Sequence, residues 1–167
     1  DYGDAPDPAY PTLRINNGAR HISEGPKLGS YRDIEINGIP SVNADGDDND
    51  GTPDDEDGVN FGSWQVGQLG ASIVVNVQNA FGGEKLSAWV DLDGDGNWGG
   101  PGEQIARDQL IVNGDNQLEV DLPAWTVPGT TYARFRLSTA GGVGIGGQAD
   151  DGEVEDHLVN IVPPASG

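Results

Sequence analysis

The sequence predicts an all-β fold, an antiparallel β-sandwich with long acidic loops, and three observations carry that prediction. Runs of alternating apolar and polar residues recur through the chain from Phe61 onward. Glycine-containing turn sequences separate them at the short intervals of strand–turn–strand architectures. No stretch shows the 3.6-residue apolar period of an amphipathic helix. Hydrophobic residues make up only 35% of the 167, and glycines number 27. A core drawn from so few apolar side chains must be economical, and loops must take much of the length.

The first segment, Asp1 to Pro11, interleaves proline and aspartate around Tyr2 and Tyr10. Proline bars it from a helix and its polarity bars it from a central strand, so it should run extended over the surface and lend carboxylates, Asp4 among them, to a site. Short β-like pieces follow at Leu13 to Ile15, Ala19 to Ile22 and Asp33 to Ile36, broken by Asn17-Gly18, Gly25-Pro26 and Asn37-Gly38. His21 in this setting reads as a satisfied, partly buried histidine. Strong strands are expected at Ala71 to Gln78, Lys85 to Leu92, Gln117 to Leu122, Thr131 to Ser138 and in the terminal run to Val162. Ala133, Phe135 and Leu137 should face inward, with Arg134 and Arg136 outward. One domain over 1–162 is the expectation, with Pro163-Pro164-Ala165-Ser166-Gly167 as a linker, so the chain reads as a monomeric module within a longer secreted protein.

The stretch Asp91 to Glu103, D-L-D-G-D-G-N-W-G-G-P-G-E, organises the rest. Asp91, Asp93 and Asp95 occupy alternate positions, Gly96 permits a sharp turn, Asn97 can offer its backbone carbonyl, and Glu103 closes the run. A hard cation needs six to eight oxygens at about 2.3 to 2.6 Å, and this set supplies them as a calcium loop. A helix–loop–helix calcium site places its closing Glu twelfth; here it is thirteenth, and a strand precedes the loop. A second acidic run, Asp45 to Gly58, repeats pieces of the pattern through Asp45, Asp47, Asp48, Asp50, Asp54, Asp55 and Asp57. A third follows the strand candidate at 131–138 and offers Asp150, Asp151, Glu153 and Asp156. Most of the 28 acidic residues fall in these clusters and the first segment, a pattern of ion sites more than of a uniformly acidic surface. Several Ca2+ ions are therefore expected.

The formal charge of -20 excludes nucleic acid and anionic membrane surfaces as natural partners, since both would be repelled. No apolar run is long enough for direct membrane insertion. The absence of Cys removes disulfides, zinc–thiolate sites and a cysteine nucleophile, and two His give no convincing catalytic arrangement, so no enzyme is expected. Trp98 inside the loop and Trp89 on the preceding strand are candidate ligand contacts, although each would serve equally well in a core. Gly144 lies in the run G-G-V-G-I-G-G, either a ligand-contacting loop or a connector.

Six motifs stand in order along nearly the whole chain: D-Y-G-D-A-P-D from Asp1, A-R-H from Ala19, the acidic run ending D-E-D-G-V at Val59, W-V-D-L-D-G-D-G-N-W from Trp89, A-R-F-R-L-S from Ala133, and G-E-V-E-D from Gly152. Together they resemble the GEVED domain, named for the last of them. His157 departs from the Tyr usual there. The resemblance implies an extracellular, cell-surface β-sandwich with several calcium ions, carried in large bacterial adhesins. The sequence is also similar to the peptide-binding modules of calcium-dependent RTX-type adhesins, which implies a peptide whose terminal carboxylate sits on a bound calcium. A glycan on another cell surface could use the same ion through vicinal hydroxyls, and a calcium-stiffened spacer is the remaining expectation.

Overall fold

The computed structural model describes residues 1–32, 34–46 and 57–165. In chain order the strands are Arg20–His21 (β1), Lys27–Leu28 (β2), Val59–Phe61 (β3), Trp64–Gln65 (β4), Ala71–Gln78 (β5), Lys85–Val90 (β6), Gln104–Leu110 (β7), Gly114–Val120 (β8), Gly129–Ser138 (β9), Gln148–Ala149 (β10) and Glu153–Val162 (β11). Among the described residues the one helical piece is the 3-10 turn Arg14–Asn16, where a β piece was expected. The chain is all-β, as its alternation predicts.

Two sheets face each other. One has the order β4-β11-β9-β6-β7. The other is centred on β5, with β8 along one edge and β2 and β3 on successive stretches of the other. The pairings are antiparallel except at β4, which runs parallel to the end of β11, and in the small β1–β10 pair. Strand β7 lacks clean alternation, and its pairing with β6 is irregular around Ala88, which is why periodicity alone did not find it. Between the sheets lies the main core: Leu86, Ala88, Val90, Phe135, Leu137, Val159 and Ile161 from the five-stranded sheet pack against Leu28, Ile73, Val75 and Val77. This is the core that the two alternating faces call for.

The outer face of the five-stranded sheet is not a solvent face. Trp89, Trp98, Tyr10 and Ala5 form a second buried cluster on it, covered by the first twelve residues and the glycine-rich loop after β9. Arg134 and Arg136 point outward from β9 as expected, yet both are wholly buried. Arg134 grips Asp156, its cross-strand neighbour, through Nε to Oδ1 and Nη2 to Oδ2, both at 2.7 Å. Its other bonds go to the carbonyls of Pro11 and Ile145 and to Thr12 Oγ1. Arg136 donates to His21 Nε2 and to the carbonyls of Arg20, Gly144, Gly146 and Gly147. Burial, with the Arg134 charge beside it, pulls Arg136 down to about 9.

Removing one partner of a fully buried, doubly bonded ion pair strands the other charge, which costs about 3–5 kcal/mol. Asp156→Ala is therefore expected to lose that much in urea denaturation, measured in calcium so that metal occupancy is held constant.

Candidate metal centre

Strand β6 ends at Val90, and the chain turns at once into the acidic loop. Asp91 is buried at the strand end because its backbone amide still bonds across to the Tyr132 carbonyl, at 3.1 Å. Its carboxylate then folds the loop around itself: Oδ1 accepts the Asp95 amide at 3.2 Å and Oδ2 the Gly96 amide at 2.9 Å. The backbone must curl tightly to do so, and Gly94 and Gly96 take φ values of 69° and 85°, which other residues rarely adopt. At the return of the loop, just before β7, Glu103 is wholly buried. Its Oε2 accepts the Leu92 amide at 2.8 Å and its Oε1 the Gly100 amide at 2.9 Å.

One carboxylate oxygen from each of Asp91, Asp93, Asp95 and Glu103 lies within 4.8 Å of the others. Among the described residues this is the one such gathering of three or more metal-binding side chains. The group could hold a metal ion. All four donors are carboxylate oxygens, the set a hard dication such as calcium takes, and nothing soft is present to favour zinc. Without a cation the crowding disfavours ionisation of Glu103. Burial, reinforced by the neighbouring Asp91 carboxylate and opposed by the amides it accepts, pushes Glu103 up to about 7.

The remaining residues singled out in the sequence lie elsewhere. Asn97 shapes the loop from its exposed rim, accepting the Gly99 amide at 2.8 Å and donating to Asp95 at 3.1 Å. Asp45 bonds to Ser41 and Asp57 to the Ser30 amide, both at 2.9 Å. Asp47, Asp48, Asp50, Asp54 and Asp55 lie outside the described residues. Asp150 is exposed, and Asp151 holds the backbone and hydroxyl of Thr139. Asp4 is buried, with its amide on Asp156 and its carbonyl accepting from Ser41.

The terminal motif does mechanical work with its carboxylates. Glu153 and Glu155 share the inner face of β11 and reach the opposite sheet, where Glu153 accepts the Leu28 amide at 2.6 Å and Glu155 the Gly58 amide at 2.9 Å. Asp156, on the outer face, accepts the amides of Asp4 and Ala5 at 2.7 and 2.8 Å besides gripping Arg134. His157 bonds to Glu155 at 2.8 Å and sets its ring edge-on to Phe61 and Phe135. Burial pushes Glu155 up to about 7, against the pull of His157.

Residues 85–160, running from β6 through the acidic loop to the terminal motif, match the GEVED domain family. This segment is a GEVED domain. No curated protein matches the chain. The GEVED domain accounts for β6 to β11, and the strands and arm before it complete the second sheet and the outer layer.

The two tryptophans that were candidates for either a ligand contact or the core are buried, Trp98 at 2% exposure and Trp89 at 4%. Trp98 stacks on Tyr10 and under the Arg134 guanidinium, 4.8 Å from its ring, and donates to the Tyr132 carbonyl. Gly144 gives its carbonyl to Arg136. The aromatic that does stand open beside the GEVED loop is Trp125, 51% exposed. A Cβ placed on Gly102 would lie 3.5 Å from its ring, and one on Gly94 would lie 3.6 Å from half-exposed Val127. Only the flanking prolines of P-A-W-T-V-P hint at this, since they hold Trp125 off any strand.

Folded Glu103 binds its proton more tightly than an unfolded Glu at 4.5, so as pH rises from 4.5 through 7 the metal-free fold loses stability through this group. Glu103→Gln lacks that term. In chelator, the stability difference between the variant and the unaltered protein should move in favour of the variant from pH 5 to 8; in calcium, the unaltered protein should gain instead. Thermal melts at each pH read both trends.

Proposed function

We propose that the protein is a calcium-dependent ligand-binding module of a large bacterial surface adhesin, working outside the cell. The observation that carries this reading is the convergence of Asp91, Asp93, Asp95 and Glu103 beside exposed Trp125. Asp91 and Glu103 are buried, while Asp93 and Asp95 are open to solvent. A calcium seated among them is anchored from within and keeps its outer side for a ligand. A chain of charge -20 repels acidic ligands, and a dication with an open position reverses that locally. The ligand is a peptide whose terminal carboxylate completes the calcium shell, with Trp125 and Val127 as the adjoining apolar wall.

The exposed indole favours a second reading, a glycan that lays a sugar face on Trp125 and two hydroxyls on the calcium. An enzymatic role finds no support in the two histidines. His21 is buried with both ring nitrogens engaged, by the Asp151 carbonyl and Arg136, and burial together with the Arg136 charge keeps it neutral. His157 is tied to Glu155. No helix among the described residues is long and apolar enough to cross a membrane.

The test is capture of the labelled protein on an array of free-ended peptides and glycans, in calcium and again in chelator. Capture that requires calcium, falls about tenfold or more in Trp125→Ala, and leaves calcium-loaded stability unchanged is the expected result. A silent array from folded, calcium-loaded protein moves the reading to a structural spacer.

A further inference from the structure

The first twelve residues cross the outer face of the five-stranded sheet as an arm, and two of its fastenings, far apart along it, bear on the acidic loop. Near its start, the amides of Asp4 and Ala5 donate to Asp156 at 2.7 and 2.8 Å. Near its end, buried Tyr10 donates its hydroxyl to Asp91 Oδ2 at 2.5 Å. Asp91 is also the first carboxylate of the metal loop. The two fastenings are joined behind the arm as well. Asp156 holds Arg134, Arg134 lies over Trp98, and Trp98 belongs to the loop and stacks on Tyr10 with ring centroids 4.5 Å apart. The arm, the sheet and the loop thus close a ring of direct contacts.

We propose that the arm regulates the metal centre: docking of residues 1–12 and binding of calcium by the 91–103 loop are one linked equilibrium, with Tyr10 as the positioning residue between them. This rests on the reading of the loop as a calcium site. The hydroxyl fixes the orientation of Asp91 through Oδ2, and the other oxygen, which accepts only the Asp95 amide at 3.2 Å, keeps a lone pair for the ion. Partners of this kind to a ligand carboxylate are worth about 10–100-fold in metal affinity. Linkage is reciprocal, so whatever factor the docked arm adds to calcium affinity, calcium adds to docking of the arm. A purely local role for Tyr10 would leave the far end of the arm irrelevant to the ion. The ring of contacts makes it relevant, and Gly3 gives a way to reach it. A Cβ at Gly3 would stand 2.3 Å from Asp156 Oδ2 and 2.5 Å from Arg134 Nη2, so Gly3→Ala must lift the arm without touching a calcium ligand.

The experiment titrates calcium chloride calorimetrically into the unaltered chain, Tyr10→Phe and Gly3→Ala, and follows amide hydrogen exchange at Asp4 and Ala5 in calcium and in chelator. Amides of β9 and β11 report whether each variant is folded. Expected are about tenfold weaker calcium binding in Tyr10→Phe, a loss in the same direction in Gly3→Ala, and faster exchange at Asp4 and Ala5 of the unaltered chain once calcium is removed. If Gly3→Ala does not fold, Tyr10→Phe, which keeps the ring, decides together with the exchange data. Unchanged calcium affinity in the folded variants, or arm exchange indifferent to calcium, overturns the linkage while leaving the metal site standing. Absence of calcium binding by the unaltered chain overturns both.

Discussion

The buried pair of Arg134 and Asp156 is the constraint on which the outer half of this protein depends. Two charges out of water are stable together only when geometry and further hydrogen bonds replace what water supplied. Here the five N–H groups of Arg134 all find acceptors: the two Asp156 oxygens, two carbonyls and a threonine hydroxyl. Those acceptors belong to the arm, the glycine-rich loop and β11. One desolvated cation therefore determines where three separate segments lie, and Arg136 does the same for β1 and the loop from Gly144 to Gly147.

A second economy runs through the chain. It has no cysteine, almost no helix among the described residues and many loops, so its irregular backbone needs partners from somewhere. Carboxylates supply them. Asp7 holds the amides of Thr12 and Leu13, Glu84 those of Phe81 and Gly82, Glu103 those of Leu92 and Gly100, and Asp121 that of Gly70. At Asp7 burial opposes ionisation, yet the two amides outweigh it and keep the carboxyl below its ordinary range. A large share of the acidic charge is thus structural, spent on amides rather than displayed as a uniform surface. The gathered oxygens of the 91–103 loop differ because there four carboxylates face one another as well as the backbone.

The family match and the geometry meet in the terminal motif. Its three acids divide by strand alternation, Glu153 and Glu155 to the inner face and Asp156 to the outer. The inner pair ties β11 to the edge of the opposite sheet, and the outer one ties it to Arg134 and the arm. The segment therefore sits at the junction of both layers. The acidic loop lies at one end of the same sheet and shares its outer cover, through Tyr10 and Trp98.

The sequence by itself determined what is local. Period-two alternation marked the strands at 71–78, 85–92 and 131–138, because a half-buried strand must present one apolar face. Three aspartates at alternate positions, a glycine and a distant glutamate marked the loop that gathers four carboxylates, because wrapping such a loop is a short-range problem of oxygens and turns. Tertiary structure decided what depends on neighbours. Trp89 stands on what alternation marked as the polar side of β6, and is buried because the arm and the glycine-rich loop cover that side. Asp156 reads as one acid in a cluster, and becomes the counterion of Arg134 only when β9 and β11 pair in register. Tyr10 is one of four tyrosines in the sequence, and its bond to Asp91 spans 81 residues. Contacts at that separation leave no periodic trace, because folding, not spacing, brings their partners together.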